Sequence, residues 1–221
     1  MGIGHVAVGL GLNSAAPRLN AGYLIFSAFF ADFLLGCFVL ARLESYRFPA
    51  EFASNHYMEF TFPWSHGMLP LIGWGCLLGG VAWLFRRDAR AAFLIGLAVV
   101  SHFLLDGIVH VKGLPVAGPG TWELGLGLWR DMPAALGLEA LMMLTALVLY
   151  WRATRGGNRT WRIAMLAYGI GLGVFLIAGQ ISATPAPRGG LIAGWLLAPA
   201  VFSWMAGIVD RKAGGGTPVV R

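Results

Sequence analysis

Apolar residues along this chain neither alternate nor form a surface-helix stripe; they run on without interruption. Apolar stretches cover Leu19 to Leu43, Trp64 to Phe85, Ala91 to Val109, Pro133 to Trp151, Ile163 to Ile181 and Leu191 to Val209. Each is near or above the roughly 18 residues that an α-helix needs to cross a hydrocarbon core. The pattern therefore predicts six full transmembrane helices. A shorter run from Gly4 to Ala16 predicts a seventh helix, too short for an independent span and suited to partial insertion or tight packing. The expected fold is an all-α, polytopic membrane helical bundle: one transmembrane domain over residues 1–209, then a disordered cytoplasmic tail over residues 210–221 that includes "AGGGTPVVR".

Composition agrees with this pattern. The chain has 221 residues, 57% hydrophobic and 12% charged, with a mean hydropathy of +0.70, which leaves too little polar surface to cover a water-soluble globule. The basic residues set an orientation. Arg18, Arg86, Arg87, Arg90, Arg152, Arg155, Arg159, Arg162, Arg211, Lys212 and Arg221 share one side; Arg42, Arg47, Lys112, Arg130 and Arg188 share the other. Positive charge marks the cytoplasmic face, so the C-terminus is expected inside and the N-terminus outside. Trp64 and Trp129 on the outer side, and Trp83, Trp151 and Trp161 on the inner side, fit interfacial belts. Topology and contact with anionic membrane lipids account for the net charge of +6 without nucleic acid. "MGIGHVAVG" has no basic n-region or cleavage site and should stay in the mature chain. Cys37 and Cys76 fall inside spans and read as small apolar residues. "AYGIGLGVFLIAG" lies in a span and is no nucleotide loop; Gly169 and Gly173 fit a small-residue packing face.

Candidate chemistry lies in "SHFLLDGIVH", residues 101–110 of an otherwise lipid-soluble run. Helical spacing of four places His102, Asp106 and His110 on one face. Ionisable groups within a span cost a few kcal/mol each and point into the bundle, toward partners or a cavity. At about 1.5 Å rise per residue, His102 and His110 stand roughly 12 Å apart along the axis. His102 and Asp106 can therefore share an ion, whereas His110 is assigned to a second metal, to a shell around the first, or to the membrane surface. The predicted topology brings His5, Asp32, His66 and Asp106 to the same outward layer, and Glu139, about two turns into its helix, joins them. Imidazoles and carboxylates gathered from several helices suit Zn²⁺ or a related divalent ion.

The combination of "GH" (Gly4, His5), a mid-helix Asp32, "SHG" (Ser65 to Gly67) and "SHFLLD" (Ser101 to Asp106) resembles the YdjM-like family of inner-membrane metal-dependent hydrolases. The resemblance covers about residues 1–150, and "VHVKGLPV" and "LGLGLW" are similar to the pattern of largely uncharacterised bacterial relatives. It implies a metal site at His5, Asp32, His66, His102 and Asp106. The sequence departs from the family where an acid-x-acid-His cluster is reduced to Asp32, Phe33 and Leu34, and where "TFPW" replaces a basic His-Arg-Gly.

Metal-assisted hydrolysis is the simplest chemistry for such a set, with Asp106 or Glu139 taking a proton from water. Lys112 or Arg130 on the outer connections would hold an anionic headgroup, making a lipid-derived phosphoester the expected substrate. Three alternatives stay open: a metal that only staples helices, an ion- or proton-coupled transporter, and a haem protein using two histidines as axial ligands.

Overall fold

The computed structural model describes residues 2–214. In chain order its helices are α1 (Gly2–Ala15), α2 (Ala21–Ala28), α3 (Phe30–Leu40), a single turn α4 (Phe52–Asn55), α5 (Met68–Arg86), α6 (Ala89–Val109), α7 (Met132–Ala153), α8 (Arg159–Gln180) and α9 (Arg188–Ala213). Two small antiparallel hairpins interrupt the connections: β1 (Ser45–Arg47) with β2 (Glu59–Thr61), and β3 (Leu114–Pro115) with β4 (Glu123–Leu124). Helices α5 to α9 are each long and apolar enough to cross a membrane, and the bent pair α2–α3 reaches that length and apolarity when taken together. Their outward faces carry Leu77, Phe93, Leu104, Leu141, Ile170, Phe175 and Trp204, all exposed. So much exposed apolar surface suits helices packed on one side and solvated by lipid on the other. The chain is an all-α membrane helical bundle, and its helices contact lipid.

Helix α1 is the short N-terminal element. Ile3, Val6 and Leu10 are buried, because α1 lies inside the bundle against α2 and α7. A Cβ on Gly9 would meet the Ile25 Cα at 2.7 Å, so glycine lets the α1 and α2 backbones approach this closely.

The second span, expected as one continuous run, is broken. Helices α2 and α3 meet at 49°, although no proline or glycine occupies positions 28–30. Two interactions account for the break. The Ser27 hydroxyl donates back to the Tyr23 carbonyl at 2.7 Å, which loosens a helix locally. The Ala28 carbonyl, at the end of α2, accepts a bond from the His102 ring on α6 at 2.7 Å, so the group freed by the break stays satisfied inside the bundle.

The closest crossing of long helices is α5 on α6. A Cβ at Gly75 would come within 2.9 Å of the Gly96 carbonyl, and the reciprocal contact is also 2.9 Å. The expected small-residue face on α8 is half present: a Cβ on Gly169 would come within 2.8 Å of the Leu147 side chain of α7, whereas one on Gly173 would meet open space.

At the end of the bundle away from the histidines, Asp210 ties three helices together. Its carboxylate accepts from the Ala21 amide and the Tyr150 hydroxyl, both at 2.9 Å. Residues 210–213, expected in the disordered tail, instead continue α9 to Ala213, with Asp210 and Ala213 buried. Residues 215–221 of that tail lie outside the described residues. Cys37 and Cys76 are both free thiols.

Candidate metal centre

Three helices and one helix entrance bring the polar residues together. His5 comes from the first turns of α1, Asp32 from the first turn of α3 just beyond the break, and His102 and Asp106 from successive turns of α6. His66 sits immediately before α5. The Asp106 carboxylate is the hub. Its Oδ1 lies 3.4 Å from His5 Nε2, and its Oδ2 lies 3.3 Å from His102 Nε2, 3.3 Å from His110 Nε2 and 3.8 Å from His66 Nε2. His66 Nε2 is also 3.8 Å from Asp32 Oδ1. The His5 and His102 rings stack in parallel at 3.8 Å. His5, His66, His102 and Asp106 are each 0–2% exposed, whereas the Asp32 side chain keeps 25% of its surface open.

The surrounding bonds decide which nitrogens are available. His102 Nδ1 faces the Ala28 carbonyl, an obligate acceptor, so it carries a proton, and the neutral ring has its lone pair on Nε2. Ser65 Oγ is 2.6 Å from Glu44 Oε2 and 2.7 Å from His66 Nδ1. The single Ser65 proton goes to the Glu44 carboxylate, so the ring nitrogen donates to Ser65 Oγ and the lone pair again falls on Nε2. Glu44 is anchored in turn by the Trp64 and Ser65 amides, both at 2.8 Å. Burial raises its carboxyl above the ordinary range, against these donors that favour the charged form.

Consequently two imidazole lone pairs, His66 Nε2 and His102 Nε2, face one another at 3.1 Å. Lone pairs in that position repel unless a cation lies between or beside them. Two nitrogens on a tetrahedral ion with bonds of about 2.05 Å stand about 3.3 Å apart, close to this spacing. Of the buried His5 nitrogens, Nδ1 has no hydrogen-bond partner among the described residues and Nε2 meets the Asp106 carboxylate at 3.4 Å without a well-formed bond, a condition that an ion or water would satisfy. With Asp32 and Asp106 ionised, a divalent cation also neutralises the cluster, as a low-dielectric site demands.

Two ligand groups satisfy the spacing a metal requires: His5 with Asp32 and His102, and His66 with His102 and Asp106, the atoms of each lying within 4.8 Å of one another. They share His102, which has only Nε2 to offer. The two groups are therefore alternatives on that nitrogen, and the cluster can hold a metal ion.

All five ligands expected from the sequence converge here. His110 takes a place beside them: it bonds to Asp106 at the carboxylate edge and packs on Trp129 at 4.2 Å between ring centres. Trp129 is accordingly buried and forms no part of an interfacial belt. Glu139 is buried nearby, but its Oε2 accepts from the Ile3 and Gly4 amides at 2.8 and 3.2 Å. It caps α1 at its positive end and so fixes the helix that carries His5. Lys112 and Arg130 are exposed on the connection between α6 and α7. Glu44, Ser65 and the Ala28 carbonyl are the functional groups that sequence reasoning missed, and the adjacent "SH" of Ser65 and His66 was the only signal for any of them.

The fold and site define a membrane helical bundle enclosing a histidine–aspartate cluster. Comparison with family models, curated proteins and solved structures finds no match for the chain.

Proposed function

We propose that this chain is an integral membrane metal-dependent hydrolase holding one divalent ion, best suited to Zn²⁺, and acting on a lipid-derived phosphoester. The facing lone pairs of His66 and His102, beside two carboxylates, carry this reading. A resemblance to the YdjM-like family supports it. An ion bound there would supply Lewis acidity for hydrolysis near neutral pH. The residues then divide the work. His5, His66, His102 and Asp106 hold the ion, while Ala28, Ser65 and Glu44 fix the ring orientations. Asp32, the one acid of the cluster with an open edge, accepts the proton of the attacking water. As the water oxygen bonds to phosphorus and the ester P–O bond breaks, that proton passes to the departing alcohol. Lys112 or Arg130 attracts the headgroup anion.

A second reading rests on the burial of all four residues that hold the ion, since closed sites are typical of structural metals. Assays of the purified protein with short-chain phospholipids and phosphate monoesters separate the two. Catalysis requires metal-dependent turnover that Asp32→Asn lowers at least a hundredfold with the ion retained. Stapling gives no turnover, but a melting temperature that falls when the ion is chelated.

The proposed membrane is the bacterial inner membrane, with the cluster toward the periplasm and the C-terminus in the cytoplasm. A cysteine introduced at Asn158 should then resist an impermeant thiol reagent in intact cells, and one at Asn55 should react; the reverse labelling overturns this orientation.

A further inference from the structure

At the end of the bundle opposite the histidine cluster, where α1, α5 and α9 finish, a cleft of about 890 Å³ opens between α2, α5 and α9. Three arginines from separate segments line it: Arg18 in the connection before α2, Arg86 at the end of α5 and Arg211 near the end of α9. All three are exposed, and among the described residues none pairs with a carboxylate. Arg86 lies over the Tyr23 ring at 5.8 Å. The nearest acid in sequence to Arg211, Asp210, is already engaged by Ala21 and Tyr150.

Below the arginines the cleft is apolar, with Phe26 and Trp204 on its walls. Two hydroxyls lie deep inside, that of Ser27 engaged by the Tyr23 carbonyl and that of Ser203. Ser203 is 5% exposed, lines the cleft, and has a buried hydroxyl with no partner among the described residues. It stands eight residues before Arg211 on α9, roughly 12 Å deeper along the axis.

We infer that this cleft binds one anionic phospholipid of the surrounding bilayer, with its phosphate among Arg18, Arg86 and Arg211 and an acyl chain along the apolar wall past Ser203. A cationic rim continuous with an apolar groove matches an amphiphile with an anionic head. A soluble anion would leave the groove unfilled. The site is independent of the metal cluster and of any reaction there.

The test is native mass spectrometry of the full chain in mild detergent, equilibrated with equal amounts of phosphatidylglycerol and phosphatidylcholine of identical acyl chains. One phosphatidylglycerol should be retained with at least a tenfold preference. Each single Arg→Gln change at positions 18, 86 and 211 should weaken retention about fivefold, and the triple variant should abolish the preference. Arg152→Gln with Arg155→Gln, which removes charge at the same end without touching the cleft, should leave the preference intact. An unchanged melting temperature shows that each variant is folded; should the triple variant fail to fold, the three singles decide. The inference is overturned if the control pair loses as much as the triple variant, if inorganic phosphate displaces the lipid at equal concentration, or if the cleft proves to be covered by a second copy that dissociates on arginine removal.

Discussion

Ser65→Ala cuts the chain of groups that orients His66 while leaving every proposed ligand in place. The substitution deletes two contacts, 2.6 Å to Glu44 and 2.7 Å to the His66 ring. It retains the two amide bonds to Glu44 that shape the turn before α5. His66 then has a buried Nδ1–H with no acceptor, which costs about 1–3 kcal/mol. The ring can escape by moving its proton to Nε2, but that removes the lone pair needed for coordination. Loss of such an outer partner weakens a metal site by about 10- to 100-fold, equivalent to about 1.4–2.7 kcal/mol. Competition titration of the detergent-solubilised protein against a chromophoric chelator reads this directly. Ser65→Thr keeps the hydroxyl and should stay within about threefold of wild type, a margin of about 0.7 kcal/mol. If Ser65→Ala binds as tightly as wild type and melts at the same temperature, His66 is not oriented through Ser65, and its assignment as an Nε2 ligand fails.

Further consequences concern the scaffold. Glu139→Ala leaves the buried Ile3 and Gly4 amides without their acceptor, and should cost about 2–5 kcal/mol from two unsatisfied donors. Glu139→Gln, which keeps an acceptor oxygen, should cost under about 1.5 kcal/mol; equal losses in thermal unfolding would show that the cap is unimportant. Gly75→Leu forces a side chain against the Gly96 carbonyl, 2.9 Å from its Cβ, and should destabilise the protein by at least about 1–3 kcal/mol. Gly80→Leu, with nothing within 4 Å, should be neutral, and similar melting temperatures for the two would refute the close α5–α6 crossing.

Much of the architecture was readable because a bilayer fixes the length of an apolar run. The break between α2 and α3 was not, since Ala28, Phe29 and Phe30 carry no helix-breaking signal. It depends on a partner from α6 that only tertiary structure supplies. His102 and Asp106 were legible from a spacing of four. Reasoning from the axial separation of His102 and His110 missed that both side chains can meet the carboxylate midway between them, as they do at 3.3 Å each. Glu139 was placed in the right layer, but its capping role requires knowing that α7 passes the start of α1. Glu44 lies in a loop with no periodicity to assign it. Asp210 was lost by ending the last span one residue too early, at Val209.

Elemental analysis of protein purified without chelators tests the central claim most directly. Wild type should contain close to one divalent ion per chain. His102→Ala and Asp106→Ala should lose most of it, since both ligand groups depend on His102 and one on Asp106. His110→Ala should have a small effect, and His56→Ala, whose ring contacts only the Ser182 carbonyl in the loop after α8, should have none. A metal-free wild type that is as stable as its metal-loaded form, with His102→Ala equally stable, would contradict the account and leave the cluster a buried polar network.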